Sequence, residues 1–378
     1  MIVRKSYKYW LKLTKKQKSA LQEMLDECRW LYNLFLEQRI LAYEELEISL
    51  SKYQQLMFLP LLKEERPSLT KVHSQVLQDV VVRLDRAFEA FFRRCSKGGE
   101  KPGFPRFRGY DRYDSFTYPQ SGFEVVGSEL KLSKIGPIRM KQHRPIFGAI
   151  KTCTLRRDPS GKWYASLSVE QEAQLLVPNE KSVGIDMGIE HWAHLSDGTV
   201  VENPRFLKQE EKALAKAQRK LSKFEKRTPG RRKQGKIVAK VHERIRNKRQ
   251  DFCHKQSKKI VAEYQYICVE ELNIKNMVEG SPLGSSLSRS IADASWNQFC
   301  RFLAYKAGEA GRKVGMVNPA YTSATCSQCG KMEKKSLSHR QHQCTHCGYS
   351  AHRDFNAAQN ILAIGLDSLG LSPRSLRL

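Results

Sequence analysis

Two Cys-x-x-Cys-Gly turns, Cys326 to Gly330 and Cys344 to Gly348, constrain this chain more than any other feature. Such a turn aims two thiolates at one centre, and its glycine takes the left-handed conformation that closes the knuckle. Two knuckles about fourteen residues apart supply four soft ligands in tetrahedral geometry, so Cys326, Cys329, Cys344 and Cys347 predict a coordinatively closed zinc ribbon. Two disulfides or unrelated core thiols would not require two matched turns. The intervening segment, with Lys331, Lys334, Lys335, His339 and Arg340, is basic and nearly devoid of large apolar residues. It cannot build a core without the metal. His342 and His346 are bystanders beside four cysteines. The other cysteines, Cys28, Cys95, Cys153, Cys253, Cys268 and Cys300, are scattered singly, which fits a reducing cytoplasm and not a disulfide framework.

A chain of 378 residues is long enough for two or three domains, and its net charge of +27 is spread along its length. Such a field favours a polyanion, with nucleic acid the default partner. A membrane surface is the runner-up, but no apolar run is long enough to span, and no amphipathic anchor stands out. The N-terminus lacks the apolar core of a signal peptide.

A strand-like Ser6–Trp10 leads to Thr14, a helix cap. Helical spacing follows from Lys15 to about Glu47, from about Ser51 to Lys63, and from near Ser68 through Phe91. On the last of these, Ser74, Gln75 and Gln78 form a polar face that is either simply solvated or able to read adenine edges. From Lys97 to Arg108 the glycines Gly98 and Gly99 and the run Lys101-Pro102-Gly103-Phe104-Pro105-Arg106-Phe107-Arg108 forbid a helix. Arg106 and its aromatic neighbours suit base stacking with phosphate contact, or a linker with hydrophobic anchors; both readings stay open. Strands at 123–126, 130–132, 150–155 and 163–169 predict a small barrel closed by the N-terminal strand.

Beyond Val177-Pro178, Val183–Ile189 reads as a buried strand carrying Asp186, and His191–Leu195 as its return. Helices are expected over 208–226 and 236–263, separated by a break at Thr228-Pro229-Gly230. Their large excess of lysine and arginine over acid, with Arg231, Arg232, Lys233, Arg244, Arg246 and Arg249, exceeds what a solvated face needs and fits contact with a nucleic-acid backbone. Tyr266–Leu272 is a second buried strand ending in Glu270 and Glu271. Gly280–Ser290 reads as a loop, 293–311 as a helix and Lys313–Val317 as a strand. After the ribbon, Asp354 opens an alanine-rich helix.

Asp186, Glu270 and Asp354 thus come in the order Asp, Glu, Asp, two at strand ends and one on a later helix, as in a ribonuclease H-like fold. Carboxylates so arranged hold two divalent ions for phosphodiester hydrolysis, activating the attacking water and neutralising the leaving 3′-oxygen. Hard oxygen donors suit Mg2+ or Mn2+.

The blocks Gly184-Ile185-Asp186-Met187-Gly188, Val269–Met277, Tyr321-Thr322-Ser323 before the ribbon, and Arg353-Asp354-Phe355-Asn356-Ala357-Ala358 resemble the TnpB family, insertion-sequence proteins related to the type V CRISPR effectors. The resemblance extends through Tyr32-Asn33, Ser74–Gln78, Gly103–Phe107 and Ser115–Thr117. It implies a multidomain chain of α/β and β parts: wedge barrel at 1–13 and 101–178, helical recognition insert at 14–100, RuvC-like nuclease at 179–322 and 351–378 with a basic helical hairpin at 205–263, and zinc ribbon at 323–350. It also implies an RNA-guided DNA endonuclease with Asp186, Glu270 and Asp354 as catalytic residues and magnesium ligands. The implied partners are a transposon-derived guide RNA and a double-stranded target DNA with a short flanking motif. A monomer in the RNA complex, in a prokaryotic cytoplasm and at the nucleoid, completes the expectation. Glu271 stands where relatives often have Asp, and Ala324 where they often have Gln. The competing functions are a guided repressor that has lost catalysis and a transposase of ribonuclease H-like fold; the three acids oppose the first, and the ribbon before the third acid opposes the second.

Overall fold

In a computed structural model, residues 1–98, 102–110, 112–279, 285–333 and 339–371 are described. The chain divides into two compact units, Met1–Glu172 and Ala173–Leu378. Gly99, Lys101, Gly280, Lys334 and Lys335, which belong to turns and basic segments expected above, lie outside the described residues.

The first unit begins with β1 (Ile2–Lys12) and α1 (Lys15–Leu46), whose start is fixed by a reciprocal cap between Thr14 and Gln17. The helix expected over 51–63 is two short ones, α2 (Lys52–Met57) and α3 (Leu59–Glu65), because Pro60 restarts the chain at a first turn. The next begins later than expected: a 3-10 turn covers Pro67–Lys71, and α4 runs over Ser74–Lys97. Then come β2 (Ser115–Tyr118), β3 (Phe123–Val126), β4 (Glu129–Leu132), β5 (Gly136–Lys141), β6 (Ala149–Arg157) and β7 (Trp163–Glu172). They form one antiparallel sheet in the order β2-β6-β7-β1-β5-β4-β3. The N-terminal strand therefore lies in the middle of the sheet, paired with β7 on one side and β5 on the other. Its alternation of buried Tyr7, Tyr9 and Leu11 with exposed residues faces a single core shared with α1 and α4. The β5 strand escapes sequence reading because Gly136 and Pro137 open it.

The second unit contains β8 (Ser182–Met187), β9 (His191–Leu195), β10 (Val200–Glu202), α5 (Phe206–Ser222), α6 (Pro229–Glu263), β11 (Tyr266–Glu270), α7 (Ile274–Glu279), α8 (Ser286–Ala294), α9 (Trp296–Ala310) and β12 (Lys313–Val317). A small hairpin, β13 (Gln341–Gln343) and β14 (Ser350–His352), runs directly into α10 (Arg353–Ser368). Two expectations are corrected. Pro229 does not break the hairpin but opens α6, seven residues earlier than expected, since proline suits a first turn and Thr228 caps the Arg231 N–H at 3.3 Å. Part of the expected Gly280–Ser290 loop is helical, with Ser285 capping α8 through the Ser288 N–H; left-handed Ser295 then separates α8 from α9.

The sheet order is β10-β9-β8-β11-β12, antiparallel on the β9 side and parallel from β8 through β12. Helices cover both faces, so the middle strands are apolar over 183–185 and 267–269, up to Asp186 and Glu270. Val183, Ile185, Ile267 and Val269 face a core with Trp296, Phe299 and Leu303 of α9, while Cys268 faces Ile361 and Leu366 of α10. The approach of α10 is unusually close. A Cβ on Gly184 would lie 2.1 Å from the Ala358 carbonyl oxygen, and one on Gly365 would lie 2.3 Å from Cys268 Sγ. Two glycine notches thus set the distance between α10 and the sheet.

Candidate active site

Strand alternation decides which side chains meet. Gly184 and Cys268 face α10, so Asp186 and Glu270, two residues further along, leave the same face. The parallel register pairs Val269 with Ile185, which puts Glu270 beside Asp186 at the next step. Asp354 is the second residue of α10 and points into the same region, where its charge acts on both other acids. Glu270 is buried and accepts a 2.7 Å hydrogen bond from the Thr322 hydroxyl. Glu271 is exposed, and its N–H donates to the Val317 carbonyl.

Burial raises Asp186 well above the carboxylate range, and the charges of Glu270 and Asp354 push it further. Burial also raises Glu270, against the Thr322 hydrogen bond and with the help of Asp354. These are the costs of crowding acids, and a divalent ion relieves them. Because the folded state holds these protons more tightly than the unfolded chain, the stabilisation is complete below the ordinary carboxylate range and is lost as pH rises through the raised values. Metal-free wild type is therefore expected to lose stability relative to Asp186→Asn as pH rises from the acid range towards neutrality. Divalent ions should oppose that loss most strongly at the higher pH. Melting curves of both proteins against pH check the sign; parallel profiles would refute the crowding.

Thr322, Asn356 and Asn360 complete the support. Asn360 Nδ2 donates to the carbonyls of Thr322 (2.8 Å) and Thr325 (2.7 Å), and Asn356 bridges the Thr325 carbonyl and the Ser327 N–H. These asparagines are one helical turn apart, and they tie the segment that orients Glu270 to the helix that carries Asp354. Sequence reading assigned them no role, although two buried asparagines at i and i+4 are a legible signal of backbone binding. His194 was also missed. It lies opposite Asp186 on β9, with Nε2 3.6 Å from Asp354 Oδ2, and burial holds its imidazole below the ordinary value against the pull of Asp354.

The four cysteines converge as their spacing requires. Cys326 and Cys347 sulfurs are 3.7 Å apart, and those of Cys329 and Cys344 3.5 Å. Thiolates about 2.3 Å from one tetrahedral ion lie about 3.8 Å apart, so the set fits a zinc ribbon. Gly330 and Gly348 both have φ of 73°, closing the turns with hydrogen bonds to the Cys326 and Cys344 carbonyls. His342 is buried near Tyr349 and His346 is exposed; neither joins the four-sulfur group.

Ser74 accepts from Lys63, Gln75 holds Ser121 through its N–H (2.9 Å) and hydroxyl, and Gln78 and Arg106 are exposed. Phe104 packs edge-on against Phe88 and Phe91 as a hydrophobic anchor, while Asn33 clamps the Arg108 backbone at both its N–H and carbonyl. On the basic hairpin, Arg231 caps the end of α5 through the Leu221 and Phe224 carbonyls, Arg244 pairs with Glu210, and Arg249 with Asp293. Arg232, Lys233 and Arg246 are exposed.

Comparison with known proteins agrees with this architecture. Family models match residues 166–280 ("Probable transposase"), 296–361 ("Cas12f1-like, TNB domain") and 1–47 ("Helix-turn-helix domain"). The last span is a strand and one long helix here. The chain is 35% identical over 306 residues to the putative RNA-guided DNA endonuclease InsQ of Escherichia coli (strain K12), covering 77% of this chain and 74% of that one. It is 33% identical to a putative RNA-guided DNA endonuclease of Streptomyces pristinaespiralis, covering 96% and 90%. The cryo-EM structure of the Cas12f1-sgRNA-target DNA complex contains a chain of similar fold, with a TM-score of 0.57, 14% identity, and coverage of 92% of this chain and 83% of that one. The chain belongs to the TnpB family and is related to Cas12f.

Proposed function

We propose that this protein is an RNA-guided DNA endonuclease in which Asp186, Glu270 and Asp354 hold two divalent ions, Mg2+ or Mn2+. The observation that carries the reading is the convergence of these acids on one face of the β8–β11 pair under α10. The strand order and directions of the second unit are those of a ribonuclease H-like sheet, which supports a RuvC-like nuclease, and the seven-stranded antiparallel sheet supports a wedge barrel with α1–α4 as its recognition insert. When bound, the ions supply activation of the attacking water and neutralisation of the leaving 3′-oxygen. The residues of the chain hold that geometry: Thr322 fixes Glu270, Asn356 and Asn360 fix the segment bearing Thr322, and the glycine notches fix the height of Asp354. Cys326, Cys329, Cys344 and Cys347 hold a structural Zn2+.

The partners are a guide RNA encoded with the element and a duplex DNA target chosen by base pairing, with a flanking motif read by the first unit. The protein acts as a monomer in its RNA complex, in the cytoplasm and at the nucleoid. No helix among the described residues is long and apolar enough to cross a membrane. Purification from a host carrying the surrounding locus, followed by sequencing of the bound RNA and incubation with matching duplex and Mg2+, tests the reading. Cut ends dependent on the match are expected. Binding without cutting would support a repressor, and joined strands a transposase.

The exposed Arg232 and Lys233 contact nucleic-acid backbone, whereas Arg244 and Arg249 hold the hairpin to Glu210 and Asp293. Reversing Arg232 and Lys233 to Glu should weaken RNA or DNA binding and flatten its salt dependence by about two charges, with melting unchanged. Reversing Arg244 and Arg249 should lower the melting temperature. An unchanged salt slope in the first variant would make the hairpin a spacer.

A further inference from the structure

The third carboxylate has a neighbour of different chemistry. His194 stands across the antiparallel ladder from Asp186, so both side chains leave the same face of the sheet. It is 6% exposed, and its Nε2 is buried without a hydrogen-bond partner. A buried ring nitrogen is ordinarily satisfied, and an orphan one marks a place where an ion or water belongs. The 3.6 Å from Nε2 to Asp354 Oδ2 is too long for a hydrogen bond. It lies just beyond the spacing of two ligands of one ion: donors each about 2.1 Å from a metal lie about 3.0 Å apart at a right angle and about 3.4 Å apart at the tetrahedral angle, so a shift of a few tenths of an ångström brings the pair onto one ion. The ring is held in place, with His352 stacked on it at 4.8 Å and 15° and His191 edge-on at 5.1 Å. His352 Nδ1 accepts the Asp354 N–H at 3.3 Å, and a ring nitrogen of His352 lies with His194 and Asp354 in one group of ligand atoms within 4.8 Å of one another.

We propose that His194 Nε2 and the Asp354 carboxylate together ligate one of the divalent ions of this centre. One nitrogen donor among oxygens makes that position favour Mn2+ over Mg2+, since imidazole suits transition ions and Mg2+ prefers oxygen. The assignment rests on the nuclease reading of the same carboxylates. Pulsed EPR of the RNA-loaded protein with stoichiometric Mn2+ tests it, because a directly bound imidazole gives a 14N coupling that oxygen ligands do not. The coupling is expected in the wild type and its loss in His194→Asn, with at least about a tenfold loss of Mn2+ affinity and a smaller loss for Mg2+. His194→Gln provides a second variant, and melting without metal checks that each has folded. No 14N coupling in the wild type, or a coupling that survives both substitutions, overturns the proposal. In that case loss of Mn2+ binding in Asp186→Asn would leave the carboxylate reading standing, whereas retained Mn2+ binding there would mean that the reading itself had failed.

Discussion

Substituting Asp186 or Asp354 by alanine is expected to lower cleavage of a guide-matched duplex by at least about a thousandfold, a barrier increase of about 4 kcal/mol. Binding of the guide RNA and of the matched target should stay within a few-fold of wild type. The separation follows from the location of the two groups. Both act within one crowded site between β8 and the start of α10, where their charges press on one another. Removing either relieves charge crowding, so metal-free Asp186→Ala should remain folded. A single-turnover assay beside a gel-shift with the same guide and target measures both sides. Parallel loss of binding and cutting would mean that the residues serve the fold, and undiminished cutting by either variant would place the chemistry elsewhere.

Loss of the zinc ribbon should have an effect nearly as large, through structure. Strand β14 ends at His352 and α10 begins at Arg353, so the ribbon continues without a linker into the helix bearing Asp354. The Arg353 N–H donates to the Arg340 carbonyl, and Ser327 is fastened to Asn356, so the knuckles and the helix start share their hydrogen bonds. On the proposed zinc assignment, a basic ribbon with little apolar content keeps this shape only while four thiolates share the ion. Cys344→Ser is therefore expected to lose the zinc, to raise amide exchange across residues 339–354, and to cut at least about a hundredfold more slowly, about 3 kcal/mol. Exchange in β8 and β11 should change little. A variant that retains stoichiometric zinc would show that Cys344 is not a required ligand, and one that loses zinc and still cuts at the wild-type rate would show that the ribbon does not position Asp354.

What can be read in the sequence follows from how local its cause is. The knuckles are legible because four ligands and two glycines lie within two short turns. The buried strands of the second unit are legible because helices on both faces force unbroken apolar runs. The capped start of α1 is legible from Thr14 and Gln17 alone. The central position of β1 is not, because it depends on pairing with Ile2–Trp10 against 164–172, across most of the first unit. Nor is the internal use of Arg231, Arg244 and Arg249, which on a list of charges look like Arg232 and Lys233. Only packing of α5 on α6 and the position of Asp293 distinguish them. His194 escapes for a similar reason: one of the two histidines of β9 acquires a role at the acids only when β9 is laid beside β8 and α10 is lowered onto both.

The sharpest measurement concerns two adjacent residues of nearly identical chemistry. Glu270 is buried beside Asp186 and held by Thr322, whereas Glu271 is exposed. Cleavage of a matched duplex with Mg2+ or Mn2+ should be lost in Glu270→Gln, a change that keeps size and hydrogen bonding but removes the charge, and should be unchanged in Glu271→Gln. Normal cutting by Glu270→Gln, with or without loss in Glu271→Gln, would contradict the account.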